Sequence, residues 1–196
     1  AQQFRTERTE GKVEVHNGSS WNWIRGKADY DVVGDTIAKN ELVDVELVEG
    51  CGMMVSGRAL NAVRNFDERY FLYWEDADLG MRVRGAGYRI VVTTDVCMGH
   101  RPAQSTGQDS PLMEYYMTRN ALLFFSGPTK GFFYRRRLLS RLIMSHTTSG
   151  IKRILRGESA AGKARLLGVL DYLRGRHGRS SGIDHGGSRL NVDALR

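Results

Sequence analysis

The chain has 196 residues, 41% hydrophobic and 26% charged, which suits a packed core and one domain with an appendage. No run approaches the roughly 18 apolar residues of a membrane-spanning helix, and Ala1-Gln2-Gln3-Phe4-Arg5 lacks the apolar stretch of a secretory leader. The net charge of +7 conceals a split: residues 1–128 carry 14 Lys/Arg against 18 Asp/Glu, and residues 129–196 carry 15 against 4.

An acidic body of net −4 therefore precedes a basic tail of net +11, and an anionic partner would meet the tail. The chain opens without Met, as a fragment or a processed product would. Cys51 and Cys97 fit no zinc or redox spacing. Two thiols suit a reducing compartment, with a single disulfide as the alternative.

In chain order, residues 1–11 are polar and read as loose, and residues 12–16 alternate like a short strand. Asn17-Gly18-Ser19-Ser20 reads as a turn, and residues 21–40 as a long ordered loop of the kind that serves function. A strand is expected over 42–48, a short buried strand over 53–56 and a short helix over 58–63. Leu79 and Val83 at i, i+4 mark a helix over 76–86, stopped by Gly85 and Gly87. Residues 88–94 read as a strand, and the stretch from Gly99 to Ser110 as a loop. Pro111 opens a helix to Phe125 that Gly127-Pro128 breaks. Two basic helical segments follow, one with Leu138, Leu139, Leu142 and Ile143 on a face, the next with Leu166, Val169, Leu170 and Leu173. From Gly175 onward the Gly, Ser and Arg content predicts disorder.

Three places carry candidate chemistry. Phe66-Asp67-Glu68-Arg69-Tyr70-Phe71-Leu72-Tyr73-Trp74-Glu75-Asp76 crowds rings against acids and runs into a helix. A carboxylate in a first helical turn is held ionised by backbone N–H groups and the dipole, and can accept a proton from a hydroxyl. An Asp there also serves as an ordinary helix cap, and aromatics are more often core than site. His100 follows a strand and opens a polar loop, where it could ligate a divalent metal or simply be structural. Arg119-Asn120 interrupts an apolar helix; the arginine could pair with a phosphate, or with Asp67, Glu75 or Glu114. For the basic tail, Leu at helical spacing beside Arg favours an anionic membrane surface over nucleic acid, for which the tail has few stacking aromatics. A solvated helical face is the third reading.

Taken together these residues resemble the family-2 glycosyltransferases, in their bacterial rhamnosyltransferase- and galactofuranosyltransferase-like branch. The resemblance runs from about Val13 to Gly178. It rests on Val48-Glu49-Gly50-Cys51-Gly52-Met53-Met54-Val55, Phe66-Asp67-Glu68-Arg69-Tyr70-Phe71 and Trp74-Glu75-Asp76-Ala77-Asp78-Leu79. Arg82-Val83-Arg84-Gly85-Ala86-Gly87-Tyr88, His100 and Tyr115-Tyr116-Met117-Thr118-Arg119-Asn120 complete it. Six segments in the family's order set it apart from chance.

The resemblance implies an incomplete α/β domain of the GT-A nucleotide-diphospho-sugar type over 1–128, a basic amphipathic and membrane-surface segment over 129–178, and a disordered tail over 179–196. It implies Asp76 as general base for an acceptor hydroxyl, with Glu75 and Trp74 on the acceptor side. Gly50, Cys51 and Gly52 would bring the backbone close to the sugars, Arg119 would bind substrate, and His100 would complete a Mg²⁺ or Mn²⁺ site. The activity implied is inverting hexosyl transfer, rhamnosyl among the options, from a nucleotide sugar to a lipid-linked or polysaccharide acceptor. Its place would be the cytoplasmic face of the cell membrane, in cell-envelope glycan synthesis.

Two departures accompany it. Residues 1–50 supply neither a parallel βαβ donor half nor its Asp-x-Asp motif; Asp29-Tyr30-Asp31 fits the letters after the expected position. The chain is thus expected to be the acceptor-side, C-terminal half, inactive alone. Arg64 stands where the family usually has Gly. A glycan- or membrane-binding module without catalysis is the rival reading, and a nucleic-acid-binding protein the third.

Overall fold

The computed structural model describes the backbone of residues 2–7, 13–16, 20–22, 27–29, 42–100, 107, 109–127 and 131–183, with side chains over 42–93, 107, 109–127 and 131–183. The architecture is mixed α/β. Among the described residues the strands are β1 (Gln2–Glu7), β2 (Val13–His16), β3 (Ser20–Asn22), β4 (Lys27–Asp29), β5 (Leu42–Asp44) and β6 (Val91–His100). The helices among them are α1 (Gly57–Ala62), α2 (Glu75–Gly85), α3 (Pro111–Phe125), α4 (Phe132–Leu155) and α5 (Ser159–Leu173). The chain divides into two compact units, residues 1–67 with 75–102, and residues 68–74 with 103–196. α3 shares a unit with α4 and α5.

The first unit holds a four-stranded sheet in the order β2-β1-β6-β5. β1 runs parallel to β6 and antiparallel to β2, and β5 pairs antiparallel with β6 in the register Val43↔Val92. Residues 2–7, expected to be loose, thus form a strand. The expected loop over 21–40 contains the β3–β4 ladder, with Trp21 opposite Ala28. Residues 53–56 are extended without joining a sheet, and the expected strand there is a correction. Ala59, Leu79 and Val83 form a buried cluster with Met53, Val55, Leu60 and Val63 against it.

Helix ends in this unit follow capping chemistry. Ser56 Oγ accepts the Ala59 N–H at 3.2 Å and starts α1. Arg64 and Asn65 then take left-handed backbone, φ 59° and 64°. Arg64 accordingly adopts the conformation that a glycine reaches without cost. Arg82 holds that turn, donating to the carbonyls of Val63 (2.6 Å) and Asn65 (2.8 Å) while its Nε donates to Asp78. Gly87, at φ 86°, ends α2 as the sequence anticipates.

In the second unit α3 packs against α5 and α4, and its boundaries match the expected helix. Ser110 Oγ caps it through the Met113 N–H. Tyr115, Tyr116, Ala164, Leu167 and Ile183 make the core, with Leu72, Tyr73 and Leu112 packed on it. Glycines permit the close helix contacts: a methyl at Gly162 would lie 2.6 Å from the Gly150 carbonyl oxygen, and one at Gly168 2.8 Å from that of Tyr115. Glu114 is buried between Arg165 and Arg153 (2.6 and 3.3 Å).

Two expectations change here. The Leu138 and Leu142 face of α4 and Val169 of α5 are turned inward, because α4 and α5 bury them within the unit. Residues 179–183 open the segment expected to be disordered, yet Ser180 N–H donates to Tyr116 Oη at 2.9 Å and Ile183 is 3% exposed. Residues 184–196 lie outside the described residues.

Candidate functional site

The structure joins two of the segments on which the resemblance rests. Gly50–Gly52 forms a single 3-10 turn, and the Gly50 N–H donates to Asp76 Oδ2 at 2.8 Å. The Ala77 N–H donates to Asp76 Oδ1 at 2.7 Å. Asp76 lies in the first turn of α2 beside Glu75 and Asp78, where unpaired N–H groups and the helix dipole favour carboxylates. An ionised carboxylate has about four lone-pair sites. Two backbone donors fix the plane of Asp76 and leave acceptor capacity on each oxygen. A methyl at Gly50 would sit 3.3 Å from Asp76 Cβ and 3.4 Å from Oδ2, so glycine is what lets the turn approach.

Glu75 opens α2, and its Oε2 is buried without a hydrogen-bond partner among the described residues. Burial raises the Glu75 pKa from its ordinary value, and the Asp76 charge adds to the rise. The two neighbouring carboxyl groups are therefore unlike: one braced by backbone N–H groups, one desolvated and inclined to keep its proton. A buried polar atom without a partner in a folded protein calls for an explanation, and a ligand hydroxyl would supply one.

Cys51 carries a free thiol. Partial burial and the nearby Glu49 carboxylate push it up to about 11, so the thiol stays protonated at neutral pH. Its Sγ lies 3.8 Å from Glu49 Oε2. Cys51 therefore contributes no nucleophile, in keeping with a role carried by the backbone of the turn. A cavity of about 200 Å³ in the same unit is lined by Val48, Met53, Val55, Ala59, Leu79 and Val83 among others. No carboxylate borders it, and it belongs to packing.

The second unit holds the other candidates. Trp74 is half-buried, its ring 5.2 Å from that of Phe124 and 5.6 Å from that of Phe125. Arg119 corrects an expectation. It is 1% exposed, and all five guanidinium N–H groups have acceptors. These are the Gly178, Arg69 and Tyr70 carbonyls, Asn120 Oδ1 and Tyr115 Oη. No donor remains for a phosphate, and the side chain is a clamp. Glu114, one of its three suggested acid partners, pairs with Arg153 and Arg165 instead.

Sequence reasoning missed the work of Asn120. Its Nδ2 donates to the carbonyls of Tyr70, Leu72 and Tyr73 at 2.7 to 2.8 Å. Phe71, Tyr73 and Trp74 all have positive φ, 62°, 63° and 72°. Bulky residues adopt that backbone only when their surroundings impose it, at about 1–3 kcal/mol each. Asn120 and Arg119 impose it here. The signal available beforehand was a polar pair inside an otherwise apolar helix.

His100 ends β6, but its side chain, like that of Cys97, lies outside the described residues. Asp29 ends β4, and Tyr30 and Asp31 are likewise outside them. Among the described residues no three His, Cys, Asp or Glu side chains group so as to hold a metal ion. The described side chains thus do not make a cage for the expected divalent cation.

The chain is 42% identical over 62 residues to an N-acetylglucosaminyl-diphospho-decaprenol L-rhamnosyltransferase of Mycobacterium tuberculosis strain CDC 1551 / Oshkosh, and equally to that of strain ATCC 25618 / H37Rv. The match is local. It takes in 32% of this chain and spans 20% of the length of each relative. No family model matches, and no solved structure matches significantly. Over the matched stretch the chain is similar to a glycosyltransferase. Among the described residues no helix is long and apolar enough to cross a membrane.

Proposed function

We propose that this chain carries the acceptor side of an inverting family-2 glycosyltransferase, with Asp76 as the general base. The observation that carries the reading is the Gly50 N–H to Asp76 contact, which aims a backbone-braced carboxylate from a helix start. The local similarity to a rhamnosyltransferase of polyprenyl-diphosphate-linked sugar supports the reaction class.

In this mechanism an acceptor hydroxyl donates to a free lone pair of Asp76. The hydroxyl oxygen bonds to the anomeric carbon of a nucleotide-activated hexose, rhamnose being the leading case, from the face opposite the leaving group. The anomeric C–O bond breaks and its electron pair leaves on the diphosphate, while Asp76 takes the proton. Glu75, whose carboxyl is shifted by burial toward its protonated form, would stand beside a second acceptor oxygen. The fixed carboxylate contributes by position and by proton transfer, the latter typically about 10²–10⁴-fold. The acceptor would be met at the inner face of the cell membrane, and the whole protein would supply the donor site.

The test is transfer by the whole protein from a labelled nucleotide-rhamnose to a polyprenyl-diphosphate-linked N-acetylglucosamine. Asp76→Asn should reduce turnover by about the general-base factor; its single acceptor oxygen can serve only one of the Gly50 and Ala77 N–H groups, so a small fall in thermal midpoint with a still cooperative melt accompanies it. Wild-type turnover in that variant removes Asp76 from the role. A glycan-binding module without catalysis would instead bind the acceptor saturably and transfer nothing.

A further inference from the structure

The outward face of α4 carries a line of apolar side chains. Phe133 is 85% exposed, Met144 67%, Ile151 47% and Leu155 81%. Their spacings of 11, 7 and 4 residues each approach whole turns of a 3.6-residue helix, so they share one face of α4, on which Arg137 and Ser140 fill the turns between Phe133 and Met144 and Thr148 lies between Met144 and Ile151. The Leu138 and Leu142 face, which sequence periodicity had offered to a membrane, is already occupied inside the unit.

Cations lie on and beside this face. Arg136, Arg137, Arg141 and Lys152 are exposed, and α4 contains no Asp or Glu along its 24 residues. Arg136 and Arg135 lie over the Phe132 ring, 5.4 and 5.9 Å from its centroid. The helix's other basic residue near its end, Arg153, is spent on Glu114, Asp109 and Glu158.

Single exposed apolar residues are ordinary. A face with four among cations of one sign is not a solvated surface, which mixes both signs and avoids apolar patches. Nucleic acid would satisfy the arginines but leave Met144, Ile151 and Leu155 in water. An anionic bilayer satisfies both, taking apolar side chains below the headgroups and cations at the phosphates.

We propose that α4 lies along an anionic lipid surface, with Phe133, Met144, Ile151 and Leu155 inserted and Arg136, Arg137, Arg141 and Lys152 at the headgroups. The docking face is independent of the part given to Asp76, because vesicle binding requires no transfer.

The experiment is co-sedimentation of the full chain with phosphatidylcholine vesicles, with and without phosphatidylglycerol. Anionic lipid should raise partitioning by on the order of tenfold or more. Phe133→Ser with Leu155→Ser should lower binding to anionic vesicles by about tenfold or more. Arg136→Gln with Arg137→Gln and Arg141→Gln should abolish the preference for phosphatidylglycerol. Circular dichroism checks that these exposed substitutions leave the helices intact. Binding unaffected by either set overturns the proposal. So does a soluble dimer lost in the Phe133/Leu155 variant without any vesicle binding, or salt-sensitive binding to single-stranded RNA that exceeds binding to vesicles.

Discussion

The Gly50 N–H reaches Asp76 Oδ2 across 26 residues of chain and fixes that carboxylate at the start of α2. A side chain at position 50 would contact Asp76 at 3.3 to 3.4 Å and turn the carboxylate. Gly50→Ala should therefore lower kcat by on the order of tenfold, while the thermal midpoint stays near that of the parent because Gly50 is exposed. Steady-state kinetics beside a thermal melt check it; equal kcat would show that this approach is not needed.

Asn120 should matter for stability rather than for charge. Asn120→Ala removes the amide that bridges the carbonyls of Tyr70, Leu72 and Tyr73, of which that of Tyr70 keeps its Arg119 donor, and releases a loop held at positive φ. A loss on the order of 2–4 kcal/mol is expected, from the lost amide hydrogen bonds and buried network. Urea unfolding measures it, and a loss below about 0.5 kcal/mol would contradict the clamp.

Glycine contacts between helices give a paired prediction. Gly162→Ala places a methyl 2.6 Å from a backbone oxygen and should cost about 1–3 kcal/mol. Gly131→Ala meets nothing within 4 Å and should cost far less. Comparable losses in the two would argue against the close α4–α5 packing.

Burial sets two pH responses. His146 is pushed down to about 4 by burial and by Arg165, and its Nδ1 has no partner among the described residues. The unfolded chain, with an imidazole near 6.5, binds the extra proton first. Stability is thus full above about 6.5 and falls by up to one proton's slope as pH drops toward about 4. His146→Leu should flatten that limb in a pH series of thermal midpoints. Glu75 behaves oppositely. Its raised folded pKa means that the folded state holds the proton longer, so stability declines as pH rises from 4.5 through the raised value. Glu75→Gln should stabilise the fold at neutral pH.

Local chemistry made some elements legible. α3 could be bounded because Ser110, Pro111 and Gly127 mark its ends, and α2 because Gly87 takes left-handed backbone. Gly50 and Asp76 could each be singled out, though their contact is tertiary. β1 could not be read, since Gln2–Glu7 is polar and becomes a strand by pairing with β2 and the distant β6. Arg119 suggested a phosphate because its charge is visible in sequence, whereas the five acceptors that absorb it come from distant turns as well as α3. For α4, periodicity revealed an apolar face but not that the interior would claim Leu138 and Leu142, leaving Phe133 and Leu155 outside.

The most direct measurement is single-turnover transfer by the whole protein carrying Asp76→Asn. The chemical step should slow by about 10²–10⁴-fold with acceptor binding retained and the fold intact. A chemical step at the parent rate would contradict the assignment of Asp76 as the base.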